Sequence, residues 1–456
     1  MTRDHLREAV VPAYLFLCLV LGGSAQGVWF NAALQLLAIV IIAWALIAPT
    51  QRQASASTKW LLPIFVLALS LAALHLVPLP PALWTSFPGR EVVVTGFAIL
   101  GEPLPWLPIS LAPYESLATV LRLLPPLAIL AAMLRLDAYR PSWLAWSLLA
   151  GTTAGVVLGA LQVTGGGGPG SIWYLYPISN FDRATGFFAN SNHMASLLVA
   201  TIPFLFAILA ASGTYRGSKA VQKRSALFAL AGGTLLVILL GLALNGSLAG
   251  IGLGAPVVAA SALLIMRPEM QRRWLLAPAV LLLVGVGAIL AASDKSQSQD
   301  ASISIGTRQV ITETSLEATR DFLPLGSGVG SFDEVYRLYE QPDAVSRTFV
   351  NHAHNDYLEI ALETGVPGVV LVLLFLAWWT WSSLARWRES PGDPYAKAAT
   401  IASAAILAHS VVDFPLRTSA MAAVFAIAIA LVAQSKIRAR ARDESDLWPT
   451  RHIEIR

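Results

Sequence analysis

The sequence is divided, almost end to end, into apolar runs close to the ~20 residues that a helix needs to cross a bilayer. Such runs lie at roughly 9–25, 28–48, 60–78, 117–136, 144–164, 193–212, 226–245, 248–266, 274–293, 366–385, 397–412 and 418–435, which makes about twelve spans. The composition leaves little alternative. Of the 456 residues, 56% are hydrophobic and 13% charged, against about 25% charged in a soluble domain, and the mean hydropathy is +0.64. A soluble core large enough to hide so much apolar surface is not plausible, so the expected fold is an all-α, polytopic membrane helix bundle.

The polar connections sort by charge. Arg3 and Arg7 precede the first run, and alternate connections carry Arg52 and Lys59; Arg135 and Arg140; Arg216, Lys219, Lys223 and Arg224; Arg267, Arg272 and Arg273; Arg386, Arg388 and Lys397. The tail adds Lys436, Arg438, Arg440 and Arg442. An even span count puts all of these on one side, which the positive-inside rule makes cytoplasmic, with both termini. The net charge of +4 and pI near 9.2 then reflect membrane sidedness, and no nucleic-acid partner is expected. The first apolar run lacks a cleavage pattern and reads as a retained span. The lone cysteine, Cys18, excludes a disulfide framework or a cysteine metal cluster.

Three substantial segments fall on the opposite side. Residues 79–116 are rich in proline and tryptophan, including Trp84 and Trp106, and suit a loop with its rings at the interface. Residues 165–192 open with four glycines. Residues 294–365 begin with a polar stretch expected to be flexible, followed by a helix capped at Thr307 and a turn-rich Pro324–Gly330. The chain therefore divides into N-terminal spans (1–164), a second membrane unit (165–435) containing the loop 294–365, and a basic cytoplasmic tail (436–456). There is no convincing internal repeat.

Within this apolar frame the stretch Asn351-His352-Ala353-His354-Asn355-Asp356-Tyr357-Leu358-Glu359, closing on Glu363-Thr364-Gly365-Val366-Pro367-Gly368, is costly to place at a membrane edge and therefore reads as functional. His5, His75 and His452 are lone tail or span-end residues. His352 and His354, two apart in an extended segment, should face opposite ways, so one of them enters a site. With His193 and an acid they could bind zinc, but no helical ligand spacing supports that, and no metal is expected. The outer arginines Arg183, Arg308, Arg320, Arg337, Arg347 and Arg417 run against the charge bias. Arg320, Arg337 and Arg347 have acids nearby to pair with. Arg183 and Arg308 lie beside turns or helix starts, where guanidinium forks suit a diphosphate. Asp413 lies in an outer turn, as a helix-end residue or a partner for His354 or an arginine. Ser327, between two glycines, follows no strand and reads as part of a turn, not a nucleophile.

His354-Asn355, then nine residues, then Gly365-Val366-Pro367-Gly368 resembles the histidine motif of the O-antigen ligase and O-antigen polymerase superfamily. Arg183-Ala184-Thr185-Gly186 with Asn190 and Asn192 is similar to a second segment of that family, and Arg308 followed by Pro324–Phe332 to a third. The resemblance covers most of the chain from about Gly165. It implies a GT-C-like fold in a bacterial inner membrane and a periplasmic active site. The activity it implies is a metal-independent, inverting glycosyltransferase without a cofactor. The donor would be a saccharide on undecaprenyl diphosphate, and the acceptor a glycan or lipid A core. Polysaccharide export or chain-length regulator proteins are the implied protein partners.

On this resemblance His354 is the general base on the acceptor hydroxyl, or orients it, and Arg308 and Arg183 hold the donor diphosphate; the chemistry is consistent, because a good leaving group needs cations on its phosphates and a base near the acceptor, and histidine's ordinary pKa of ~6.5 suits that base. Asn355, His352, Asn190, Asn192, Arg347, Arg417 and Asp413 are the expected substrate-side residues. Where relatives carry a Ser-Arg pair this chain has Asn245-Gly246-Ser247-Leu248, so Arg417 or Arg347 would supply a third phosphate contact. The segment His409–Pro415 resembles exopolysaccharide polymerases, which favours a polymerase over a ligase. A twelve-helix transporter is the competing class. Against it stand the absence of that family's signature in 49–59 and the length of the outer loop before the tenth span.

Overall fold

The computed structural model describes residues 3–49, 54–212, 218–266, 270, 299–342, 345, 350–389 and 392–434. Their regular structure is helical, apart from one isolated antiparallel bridge between Leu79 and Leu107. Helices α1 (Arg3–Leu21), α2 (Val28–Ile47) and α3 (Ala56–Leu74) are followed by two short helices of the first outer segment, α4 (Pro81–Trp84) and α5 (Glu91–Leu100). Then come α6 (Pro113–Arg122), α7 (Leu124–Leu136), α8 (Pro141–Thr164), α9 (Ser191–Ser212), α10 (Ser218–Asn245) and α11 (Leu248–Ala262). The C-terminal part comprises α12 (Gln299–Phe322), α13 (Phe332–Tyr339), α14 (Asp356–Arg388), α15 (Pro394–His409) and α16 (Ser419–Ala433).

Among the described residues, eight helical stretches are long and apolar enough to cross a membrane: α2, α3, α6 with α7, α8, α9, α10, α11 with its final 3-10 turn, and α14. The spans expected at 9–25, 397–412 and 418–435 fall on α1, α15 and α16, which are outside that group. At 16 and 15 residues, α15 and α16 are ~24 and ~22 Å long, short of a ~30 Å hydrocarbon layer. Both are cut short by the polar turn 410–418. Both are also wrapped by other helices, so lipid thickness does not set their length. The expected span at 274–293 and the tail 436–456 lie outside the described residues.

The core sits on the small-residue helices. α9 is buried over 83% of its apolar window, against 22–28% for α2, α3, α10 and α14. Alanines in α15 and α16 let these helices approach closely, and α9 packs on α15, α15 on α16, and α16 on α1 and α7. The outward faces of α2, α3 and α10 carry exposed Leu, Ile, Val and Phe, as a lipid-facing surface requires.

The two ends of the bundle differ. At one, Arg7 donates to the Leu136 carbonyl, Arg140 pairs with Glu8, Arg135 donates to the Ala45 carbonyl, and Ser55 donates to the Ala433 carbonyl at 2.7 Å. At the other, the outer segments meet. Ala420 N–H donates to Gly22 at 3.0 Å, Gln26 Nε2 to Ile178 at 2.8 Å, and Asp356 N–H to Ser410 at 2.9 Å. In the first outer segment Trp84 is buried instead of interfacial, its indole N–H donating to Pro105 at 2.9 Å, while Trp106 is exposed. Thr307 does not cap a helix: α12 is already helical at Gln299, because the stretch before Thr307 holds no stronger breaker than Gly306.

Candidate functional site

The three most enclosed helices end at the same place, with α9 starting at Ser191, α15 stopping at His409 and α16 starting at Ser419. The turn 410–418 between the last two therefore brings polar groups onto the top of the core. Asp413 and Phe414 lie at its centre, both buried. Three imidazoles surround the Phe414 ring, with centroids at 4.2 Å for His352, 4.9 Å for His354 and 4.9 Å for His193.

His352 and His354 do not face opposite ways. The alternation expected of an extended segment is broken because His354 has a left-handed φ of 51°, which turns the chain so that both rings reach Phe414. Asn355 then caps α14, its Oδ1 accepting from the N–H groups of Tyr357 at 3.0 Å and Leu358 at 3.1 Å. Each histidine has a carboxylate partner. His354 Nδ1 lies 3.0 Å from Asp413 Oδ1, and His352 Nδ1 lies 2.8 Å from Glu359 Oε1. An ionised carboxylate only accepts, so Nδ1 carries the proton in both rings and Nε2 is left as the basic atom. Both rings keep partial exposure, 26% for His354 and 21% for His352.

The two dyads differ electrostatically. Burial alone would raise the Asp413 carboxyl, but the His354 hydrogen bond and the nearby charges of His193, His354 and His409 outweigh it and hold Asp413 well below the usual carboxylate range. Glu359, by contrast, is shared with Arg417, whose Nη2 is 3.3 Å away. Asp356, Glu359 and Glu363 occupy one face of the first turns of α14, and all three are buried. Arg417 reaches each of them, at 3.6 Å to Asp356, 3.3 Å to Glu359 and 3.2 Å to Glu363. Burial would lower the guanidinium pKa, but these carboxylates more than reverse that and raise it. Arg417 is thus engaged by three carboxylates, with which a phosphate would have to compete.

Below this cluster α14 is broken at Gly365, where φ is 58° and ψ −151°. The turn Pro324–Gly328 docks into the break. Val366 N–H donates to Pro324 at 2.9 Å, Ser327 N–H to Leu362 at 3.0 Å and Gly328 N–H to Glu363 at 2.8 Å. A Cβ on Gly365 would sit 2.1 Å from the Pro324 carbonyl oxygen. Ser327 is buried in this turn, 2.7 Å from Ser331 Oγ.

Arg183 is exposed, and its Nη1 donates to the Gly246 carbonyl at 3.4 Å. It therefore lies over the Asn245–Leu248 turn. That turn is tied to the Arg183 segment: Asn245 Nδ2 donates to Ala184 at 2.8 Å and Ser191 at 2.7 Å, and Ser247 Oγ donates to Asn192 Oδ1 at 2.8 Å. Asn190 Oδ1 accepts from Asn192 N–H at 2.8 Å, so both asparagines shape the loop that launches α9. Arg308 is half-buried on α12, which packs on α14, and its charge is felt at His409. Arg337 pairs with Asp333 at 2.9 Å. Arg347 lies outside the described residues. Among the described residues, histidines, cysteines and carboxylates form no group of three arranged to hold a metal ion.

Sequence reasoning named His193 only as a possible zinc partner, and gave His409 and Phe414 no role of their own within the segment His409–Pro415. His193 and His409 sit on two enclosed helices, α9 and α15, far apart in sequence, and only the packing of those helices brings them near Asp413. The Asp356, Glu359 and Glu363 face was legible in principle, as acids at i, i+3 and i+7 opening an apolar helix.

No curated protein matches the chain. Residues 233–373 match the family model described as O-Antigen ligase, a segment that contains Arg308, His352, His354, Asn355 and both Gly365 and Gly368. That match supports the chain's resemblance to the O-antigen ligase and polymerase superfamily.

Proposed function

We propose that this protein is a membrane glycosyltransferase that transfers a saccharide from an undecaprenyl-diphosphate donor to a sugar hydroxyl, joining repeat units into a polysaccharide on the periplasmic face. His354 Nε2 takes the proton of the acceptor hydroxyl as that oxygen attacks the anomeric carbon. The bond from that carbon to the diphosphate oxygen breaks, and its electron pair leaves with the lipid diphosphate. Arg183 and Arg308 neutralise the charge that develops there. One displacement of this kind inverts the anomeric centre, and it asks no metal of the protein.

The observation that carries the reading is the His354–Asp413 pair at 3.0 Å, with no arginine ion-paired to Asp413 among the described residues. An imidazolium formed at His354 is stabilised by the one carboxylate hydrogen-bonded to it, whereas at His352 the same charge would compete with Arg417 for Glu359. The matched family segment supports the reaction class. His352, Asn355, Asn190 and Asn192 support the site by shaping its loops, and Arg347 is kept as a candidate donor contact.

The test is to delete the protein and analyse the lipid-linked glycans. Accumulation of single lipid-linked repeat units is expected. Accumulation of full-length lipid-linked chains would reassign the protein as a ligase that moves finished glycan to lipid A core, and unchanged glycans would overturn both.

A further inference from the structure

The hydrogen bond to Asp413 holds His354 at one ring atom, Nδ1. An imidazole held at one edge can still swing its plane, and the proton transfer proposed for Nε2 depends on where that plane points. A second contact comes from Phe414, the next residue along the chain. His354 meets the Phe414 ring at 4.9 Å with an interplanar angle of 70°, and His352 meets it at 4.2 Å and 34°. His352 is likewise held at Nδ1, by Glu359. Both imidazoles are partly exposed, so the orientation of each rests on a carboxylate at one edge and on Phe414 beside it.

Phe414 is itself held fast. It is 6% exposed, and its turn is tied down: Asp413 N–H donates to His409 at 3.0 Å, Arg417 N–H to Phe414 at 3.2 Å, and Ser410 Oγ to Asp356 at 2.8 Å. On α9, His193 meets the Phe414 ring edge-on, at 4.9 Å and 88°. His193 in turn lies 6.4 Å from the buried ring of Phe188. A column Phe188–His193–Phe414 therefore joins the loop that launches α9 to the two histidines. Rings at these separations are held by their edge-to-face contacts as well as by burial, and a side chain locked by packing can fix the geometry of a functional group beside it. We propose that Phe414, backed by His193, is a positioning residue that sets the ring planes of His352 and His354 while Glu359 and Asp413 hold their Nδ1 atoms. The turn 410–418 then supplies both supports of His354 from consecutive residues. This inference rests on the assignment of His354 as the base, but its claim about ring order needs no glycan.

The test compares Phe414→Leu, which removes the flat ring but stays apolar, with Phe414→Tyr, which keeps it. The full-length protein in detergent micelles carries histidine isotope-labelled at Cε1 for nuclear magnetic resonance. The His352 and His354 signals are assigned with His352→Gln and His354→Gln. The order parameter of both Cε1–H bonds is expected to fall in Phe414→Leu and to hold in Phe414→Tyr. In cells, at equal membrane level, Phe414→Leu is expected to slow polymer formation roughly 10²-fold, as a misplaced reacting group does, and Phe414→Tyr to restore most of it. His193→Ala is expected to act in the same direction on both readouts, and His193→Phe, which keeps an edge on Phe414, to act less. That second pair decides the matter if Phe414→Leu does not reach the membrane. Unchanged ring order or normal polymer in Phe414→Leu would overturn the inference. Normal polymer in His354→Ala would instead overturn the base assignment, and the ring-order result, obtained without donor or acceptor, stands apart from it.

Discussion

Arg417 binds three carboxylates with one guanidinium, and that decides its role. Removing one partner of a buried ion pair leaves uncompensated charge and costs about 3–5 kcal/mol. Here Asp356, Glu359 and Glu363 would all lose their cation. Arg417→Met is therefore expected to lower the amount of folded protein in the membrane severalfold, read by quantitative immunoblot. A variant present at full level but inactive would instead make Arg417 a substrate contact. The sequence marks Arg417 as unusual, an arginine on the side that charge bias leaves poor in arginine. It does not show what the arginine meets, because its three partners lie on a different helix more than 50 residues away. Asp413 is the opposite case: its short outer turn already suggested a partner for His354, and the structure supplies that contact at 3.0 Å.

The element that organises the site is α14, broken at Gly365. Its first segment carries the acids and is capped by Asn355, and its second is the membrane rod. The break exists because the Pro324–Gly328 turn takes the backbone hydrogen bonds there. Gly365 supplies the φ of 58° that an L side chain resists. Gly365→Ala places a Cβ against the Pro324 oxygen and adds backbone strain on the order of 1–3 kcal/mol. The expected outcome is a lower thermal midpoint for the purified protein, with loss of activity. An unchanged midpoint would show that the turn does not dock there. The spacing from His354 to Gly365 and Gly368 was visible in the sequence, and so was a turn at Pro324–Gly330. That the two are one structural unit was not, since docking between backbones leaves no side-chain pattern to read. The His352/His354 reading failed for a related reason: it assumed extended backbone where His354 has a positive φ.

At the scale of the whole molecule, apolar run length and charge bias were enough to give a helical bundle with one basic end and one end rich in site residues. Of the spans they marked, α15 and α16 are shorter than a full crossing, because these helices are apolar for burial inside the bundle. That same enclosure places the ends of α9, α15 and α16 beneath Asp413 and Phe414, so the most enclosed part of the fold supports the candidate site. The central claim is that His354 is the base at this site. The direct measurement is to replace the protein by His354→Ala at equal membrane level and analyse glycan chain length by gel electrophoresis of extracted polysaccharide. The account predicts loss of polymer, with a rate reduction of roughly 10²–10⁴-fold for a missing general base. Polymer of normal amount and length in that variant would contradict it.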